Sequence, residues 1–187
     1  HRLEPCLNRS FQGAVLIKGQ ARAVSPGQIC AELAKLAEAR GVRFVTGHVR
    51  ALEREVEGWV VICDTDRLPA KAVVIAMGVW SGELLRSLEI KVPLMAERGY
   101  HVEYPDPQVA TENSIMDTDA KVIASSMEGG LRLAGQAEFA PINAPRNDKI
   151  IARLHDAARA IFPDLRTEPK KSWMGRRPSF PDSLPAL

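Results

Sequence analysis

The sequence of 187 residues contains no long apolar run. Its longest unbroken stretches, Trp59 to Cys63 and Ala72 to Met77, fall far short of the roughly 20 residues that a bilayer-spanning helix requires. No charge predominates: 25 Lys and Arg stand against 23 Asp and Glu, a formal net of +2 dispersed along the chain, which gives no support to a nucleic-acid or membrane-surface role. Cysteine is scarce, and Cys6, Cys30 and Cys63 lie far apart with no C-x-x-C, as expected of reduced structural thiols in a cytoplasmic protein. No two of the 13 glycines are separated by a single residue, so the dinucleotide fingerprint G-x-G-x-x-G is absent. Gly130 and Gly135 have P-loop spacing, but Gln136 and Ala137 stand where Lys and Ser or Thr must follow. The histidines (His1, His48, His101, His155) are scattered. Asp64/Asp66 and Asp117/Asp119 lack the glycine and distal glutamate of a calcium loop and read as turn residues, so no metal is expected. A G-x-S-x-G elbow is missing too, which removes support for hydrolase chemistry. There is no initiator Met: the chain opens at His1 and closes at Ala186-Leu187 behind a proline-rich stretch, and both ends are expected to be cut points.

What is there is the composition of a soluble globular chain, 45% hydrophobic and 26% charged, with the length of one domain or two small ones sharing a core. Gly13 to Lys18 reads as a strand. Ser25, Pro26 and Gln28 form a helix start, with Ile29, Leu33 and Leu36 as an inward stripe on a sheet and Gly41 as the stop. Strands are expected at Val42 to Val45, Val49 to Val56 and Trp59 to Cys63, the last two joined by Glu57-Gly58, with a turn from Asp64 through Pro69. Ala72 to Met77, apolar on both faces, predicts a strand buried in a parallel sheet, then a glycine turn and a short helix over Trp80 to Leu88 with Ser81 near its cap. Strands at Leu94 to Tyr104, Ser114 to Asp117, Val122 to Ser125 and Leu131 to Ala134 predict an antiparallel sheet. A helix follows from Asn147-Asp148 to Ile161, with Ile151, Leu154, Ala158 and Ile161 on one stripe and Pro163 as the stop, and beyond Trp173 the prolines exclude a central strand. The class expected is α+β or α/β: a mostly antiparallel sheet with flanking helices, joined to part of an α/β domain.

Two motifs carry candidate chemistry. Ala76-x-Gly78-x-Trp80-Ser81 ends the apolar run, where a glycine lets backbone amides approach a ligand, although tight packing explains such a glycine as well. Trp173-x-Gly175-Arg176-Arg177-Pro178-x-x-Pro181-Asp182 holds two guanidinium groups on a proline-stiffened segment, a device for bidentate capture of a carboxylate or phosphate or a solvated arginine pair. Together with Ser25-Pro26, Val49, Arg98-Gly99-Tyr100, Leu131 to Gly135 with Glu138, and Phe162-Pro163, their order resembles the FAD-dependent amino-acid oxidoreductases of the D-amino-acid oxidase superfamily, most closely bacterial D-amino-acid dehydrogenases.

The resemblance implies FAD as cofactor and hydride transfer from an amino acid, a D-amino acid above all, giving a 2-oxo acid and ammonia, with no side-chain acid or base required. It implies Val49, Ala76, Gly78 and Trp80 at the cofactor, and Arg177 at the substrate carboxylate with Tyr100 as a pocket residue or a packing tyrosine. Residues 1–91 would contribute to the FAD-binding domain, 92–162 would form the substrate-covering sheet and helix, and 163–187 would return with the arginine. The sequence departs from the pattern at Ser25, usually acidic, and at Arg176, usually apolar, where a second cation could favour acidic substrates or face solvent. The resemblance covers a middle slice, so this chain alone is expected to bind FAD poorly and not to turn over. The expected partner is a small amino acid or related carboxylate, in the cytoplasm or peripheral to the inner membrane. The alternatives are a non-catalytic carboxylate-binding module, or a flavoenzyme of glycine, sarcosine or a 2-hydroxy acid.

Overall fold

The computed structural model describes residues 2–184. His1 and the closing Ala186-Leu187 therefore lie outside the described residues. The elements run α1 (Pro26–Ala39), β1 (Val49–Glu55), β2 (Gly58–Cys63), β3 (Arg67–Ala70), a 3-10 turn (Gly78–Trp80), α2 (Ser81–Ser87), β4 (Met95–Tyr104), β5 (Ile115–Asp117), β6 (Val122–Met127), β7 (Gly130–Phe139), α3 (Asp148–Ile161) and β8 (Lys171–Ser179). The fold is α+β, with one sheet ordered β1-β2-β3 and a second ordered β5-β6-β7-β4-β8. No described helix is long and apolar enough to cross a membrane. Two compact units result. One takes the chain up to Leu33, Arg98–Glu138 and Asn143–Gly175; the other takes Ala34–Glu97, Phe139–Ile142 and the chain from Arg176 on.

The first unit holds the larger core. Alternate residues of β4, Tyr100, Val102 and Tyr104, share one buried face with Val122, Ala124, Leu131 and Leu133 of β6 and β7. Helix α3 closes this face with Ile150, Leu154, Ala158 and Ile161 at 3.6-residue spacing, and each of its buried Ile and Leu side chains contributes about 1.5–3 kcal/mol of transfer free energy. The expected stripe is met apart from Ile151, which is half-buried while Ile150 turns inward. Asn147 caps the helix, its side-chain oxygen accepting from the Lys149 N–H. The chain before α1 has no strand: Val15 and Ile17 are exposed where one was expected. It is anchored instead by buried Glu4, which accepts from the Glu112 and Asn113 N–H groups, and by Arg22, which donates to the carbonyls of Thr111, Glu112 and Ser126.

The second unit is the β1-β2-β3 meander with α2 on β1. The hairpin turns at Gly58, whose φ of +146° and whose missing Cβ, which would lie 2.5 Å from the Ala70 carbonyl, leave no room for another residue. Strand β3 occupies what reads as a turn, because Pro69 sits on an edge strand where no ladder donor is required. The buried strand expected over Ala72 to Met77 does not form: the segment is irregular, with Val74 and Ala76 exposed, and no described strand pairs with it. Val42 to Val45 is likewise irregular and exposed. Helix α2 begins at Ser81 with Trp80 at the capping position and no side-chain cap. Helix α1 has the predicted bounds, yet none of its residues is buried, and Ile29, Leu33 and Leu36 are exposed where a covering sheet was expected.

Candidate functional site

Arg177 lies on β8, the edge strand beside β4, at a position where Pro178 removes a ladder donor without cost. Its Nη1 donates to Glu97 Oε1 at 2.7 Å, and Ser179, two residues on, donates its hydroxyl to Glu97 Oε2 at 2.8 Å. Both oxygens of that carboxylate are thus held. The Arg177 side chain is 54% exposed and Glu97 25%, and the other guanidinium N–H groups have no acceptor among the described residues. Arg176 is committed elsewhere, its Nε donating to the Ile142 carbonyl at 2.8 Å. Sequence reasoning missed Glu97, which lies 80 positions from Arg177 and belongs to no motif.

The four residues implied at the cofactor also belong to the second unit. Val49 opens β1, the outer strand of its sheet, and a β-bulge follows between Val49 and Ala51. One row of backbone groups on β1 therefore has no strand partner and can receive a ligand. Gly78 has φ +57° and nothing within 4 Å of where its Cβ would be, so the turn conformation, not crowding, selects glycine there. Around it Ala76 and Trp80 are exposed while Val79 is buried. An exposed apolar strip with open space above a glycine backbone fits the face of a flat heteroaromatic group such as a flavin. The chain has no glycine fingerprint for the pyrophosphate.

Tyr100 lies in the first unit and is fully buried. Its hydroxyl donates to Glu138 Oε1 at 2.5 Å and accepts from the Asn147 N–H. Arg98, 1% exposed, donates to the Pro145 carbonyl at 2.6 Å and lies 3.5 Å from Glu138. The hydrogen bond from Tyr100, with those of Asn147 and the Arg98 charge, holds the Glu138 carboxyl below its usual range despite desolvation. Burial, then the bond to Glu138, raises the Tyr100 phenol. In the same unit Trp173 stacks on His101, ring centroids 3.8 Å apart, and donates its indole N–H to Glu103, which Arg132 also pairs. Gly175 makes room for the indole, since a Cβ there would lie 3.3 Å from its ring. A cleft of about 230 Å³ beside Ser25, Pro26, Glu103 and Arg132 contains none of the expected site residues. Among the described residues no cluster could hold a metal ion.

A half-exposed arginine on a proline-stiffened edge strand and an apolar, glycine-opened turn are the two features of the second unit with free groups to offer a ligand. The chain belongs to the family of FAD-dependent oxidoreductases called DAO, whose model matches residues 1–187. It is 34% identical over 189 residues to a D-amino-acid oxidase of Bradyrhizobium diazoefficiens, covering 98% of this chain and 45% of that protein. It is 36% identical to a D-amino acid dehydrogenase of Rhizobium johnstonii over 83% of this chain and 38% of that protein. The chain thus spans less than half the length of either relative. Its fold matches the crystal structure of glycine oxidase from Geobacillus kaustophilus with a TM-score of 0.83 at 23% identity, over 100% of this chain and 50% of that one. The cofactor of the family is FAD.

Proposed function

We propose that the chain is a segment of an FAD-dependent enzyme that oxidises a D-amino acid to its 2-oxo acid and ammonia in the cytoplasm. The observation that carries this reading is Arg177, held at one edge by Glu97 and open at the other, where its planar fork can take a substrate carboxylate in two parallel hydrogen bonds. Val49, Ala76, Gly78 and Trp80 would hold the cofactor by backbone and apolar contact. FAD, when bound, supplies the two-electron acceptor. Arg177 orients the substrate and gives up no proton, in keeping with a site that requires no side-chain acid or base. Tyr100, buried and doubly hydrogen-bonded to Glu138 and Asn147, supports the sheet. The names of the Bradyrhizobium and Rhizobium relatives favour a D-amino acid over glycine. Since the chain lacks a pyrophosphate-binding fingerprint, it is inactive by itself.

The test is Arg177→Ala in the full-length enzyme. The expected result is a KM for D-amino acids raised about 100-fold or more, the scale of a lost charge-assisted pair. An unchanged KM would overturn the assignment.

A further inference from the structure

We infer that Glu97 is a specificity-determining residue that selects a zwitterionic ligand at Arg177. This rests on the reading of Arg177 as the substrate arginine. A carboxylate beside an anion-binding guanidinium is counterproductive if its only effect is to neutralise the cation, and an exposed pair of this kind stabilises a fold by only about 0–1 kcal/mol. Here the carboxylate is immobilised: Arg177 and Ser179, adjacent on one face of β8, each grip a different oxygen of Glu97, at 2.7 and 2.8 Å. The guanidinium keeps its remaining N–H donors and the carboxylate keeps the unused lone pairs of both oxygens. A fixed positive group and a fixed negative group in contact form the mirror image of an α-amino acid, whose carboxylate and amino group are one carbon apart. The amino acid places its carboxylate on Arg177 and its amino N–H groups on Glu97. The carboxylate accepts from the ammonium and from the free amine alike. A simple carboxylate or a 2-hydroxy acid meets the same guanidinium with the negative charge of Glu97 uncompensated, a repulsion acting against the wrong ligand. Ser179 is a positioning residue, since it acts through Glu97.

The experiment uses the full-length FAD-loaded enzyme, with D-alanine as substrate and propionate as competitive inhibitor. For Glu97→Gln, which keeps the shape and removes the charge, the KM for D-alanine is expected to rise about 10-fold while the Ki for propionate stays the same or falls, the loss of one charge-assisted hydrogen bond and of one repulsion. Glu97→Asp recovers part of the difference. Ser179→Ala shifts the ratio in the same direction by a smaller factor, and serves if Glu97→Gln does not load FAD. A merely structural role changes both constants by the same factor, and that result, or no change in either, overturns the inference. Arg177→Ala separates the two levels: weakening of both ligands sustains the underlying reading whatever Glu97 does, and weakening of neither removes it.

Discussion

Gly129 lies in the turn between β6 and β7 and its neighbour Gly130 opens β7, yet alanine at the two positions is expected to have opposite consequences. Gly130 has φ +115°, and a Cβ built on it would lie 2.1 Å from the Tyr104 carbonyl oxygen, 3.0 Å from the carbonyl carbon and 3.1 Å from Pro105 Cα. These are backbone atoms, so no side chain can turn away to relieve the overlap. The strained dihedral costs about 1–3 kcal/mol. Displacing either the hairpin or the end of β4, where Tyr104 is fully buried, adds about 1–3 kcal/mol of disturbed packing. Gly130→Ala should therefore destabilise by about 4 kcal/mol, a large share of the roughly 5–15 kcal/mol that holds a domain together. Gly129 has no atom within 4 Å of its added Cβ and no positive φ, so Gly129→Ala should stay within about 1 kcal/mol of the parent, with a small gain through the unfolded chain. Urea unfolding followed by circular dichroism reads both through the midpoint at constant slope. Two variants of equal stability would show that close approach to β4 does not govern this turn.

Two further outcomes can be checked. The Glu138 carboxyl is held below its ordinary value of 4.5 in the folded state, chiefly by Tyr100, so its contribution to stability is complete above that value and is lost as pH falls through the lower folded value. Unfolding midpoints measured from about pH 6 to pH 3 should decline less steeply for Glu138→Gln than for the parent, and parallel curves would refute the assignment. Titration of FAD into this 187-residue chain, followed by flavin fluorescence, should give weak binding, and tight stoichiometric binding would sink the expectation that the chain lacks the main cofactor contacts.

Local chemistry made much of the fold legible. The stripe of α3, its Asn147 cap and the stop at Pro163 act within a few residues of one another, and so does the Gly58 turn. Ala72 to Met77 misled because an apolar run records that a segment is suited to burial without recording by what; no described strand lies beside it. The same limit explains α1, whose bounds were readable and whose covering partner was not. Pro69 hid β3, since a proline forbids a central strand and permits an edge. At the candidate site Arg177 stood out by its motif, whereas Glu97 and the Asn147 contact to Tyr100 come from pairings 80 and 47 positions apart, which no periodicity encodes.

The outer strands of the two sheets share a property that bears on how the chain behaves at high concentration. β3 is four residues long and carries Pro69, β8 carries Pro178, β5 has only three residues, and β1 is bulged at its start. Each is a feature that makes a strand border a poor template for another chain. Two sheets that would otherwise offer four rows of backbone donors and acceptors are thereby discouraged from growing edge to edge into fibres, and the proline that stiffens the arginine strand serves colloidal stability as well.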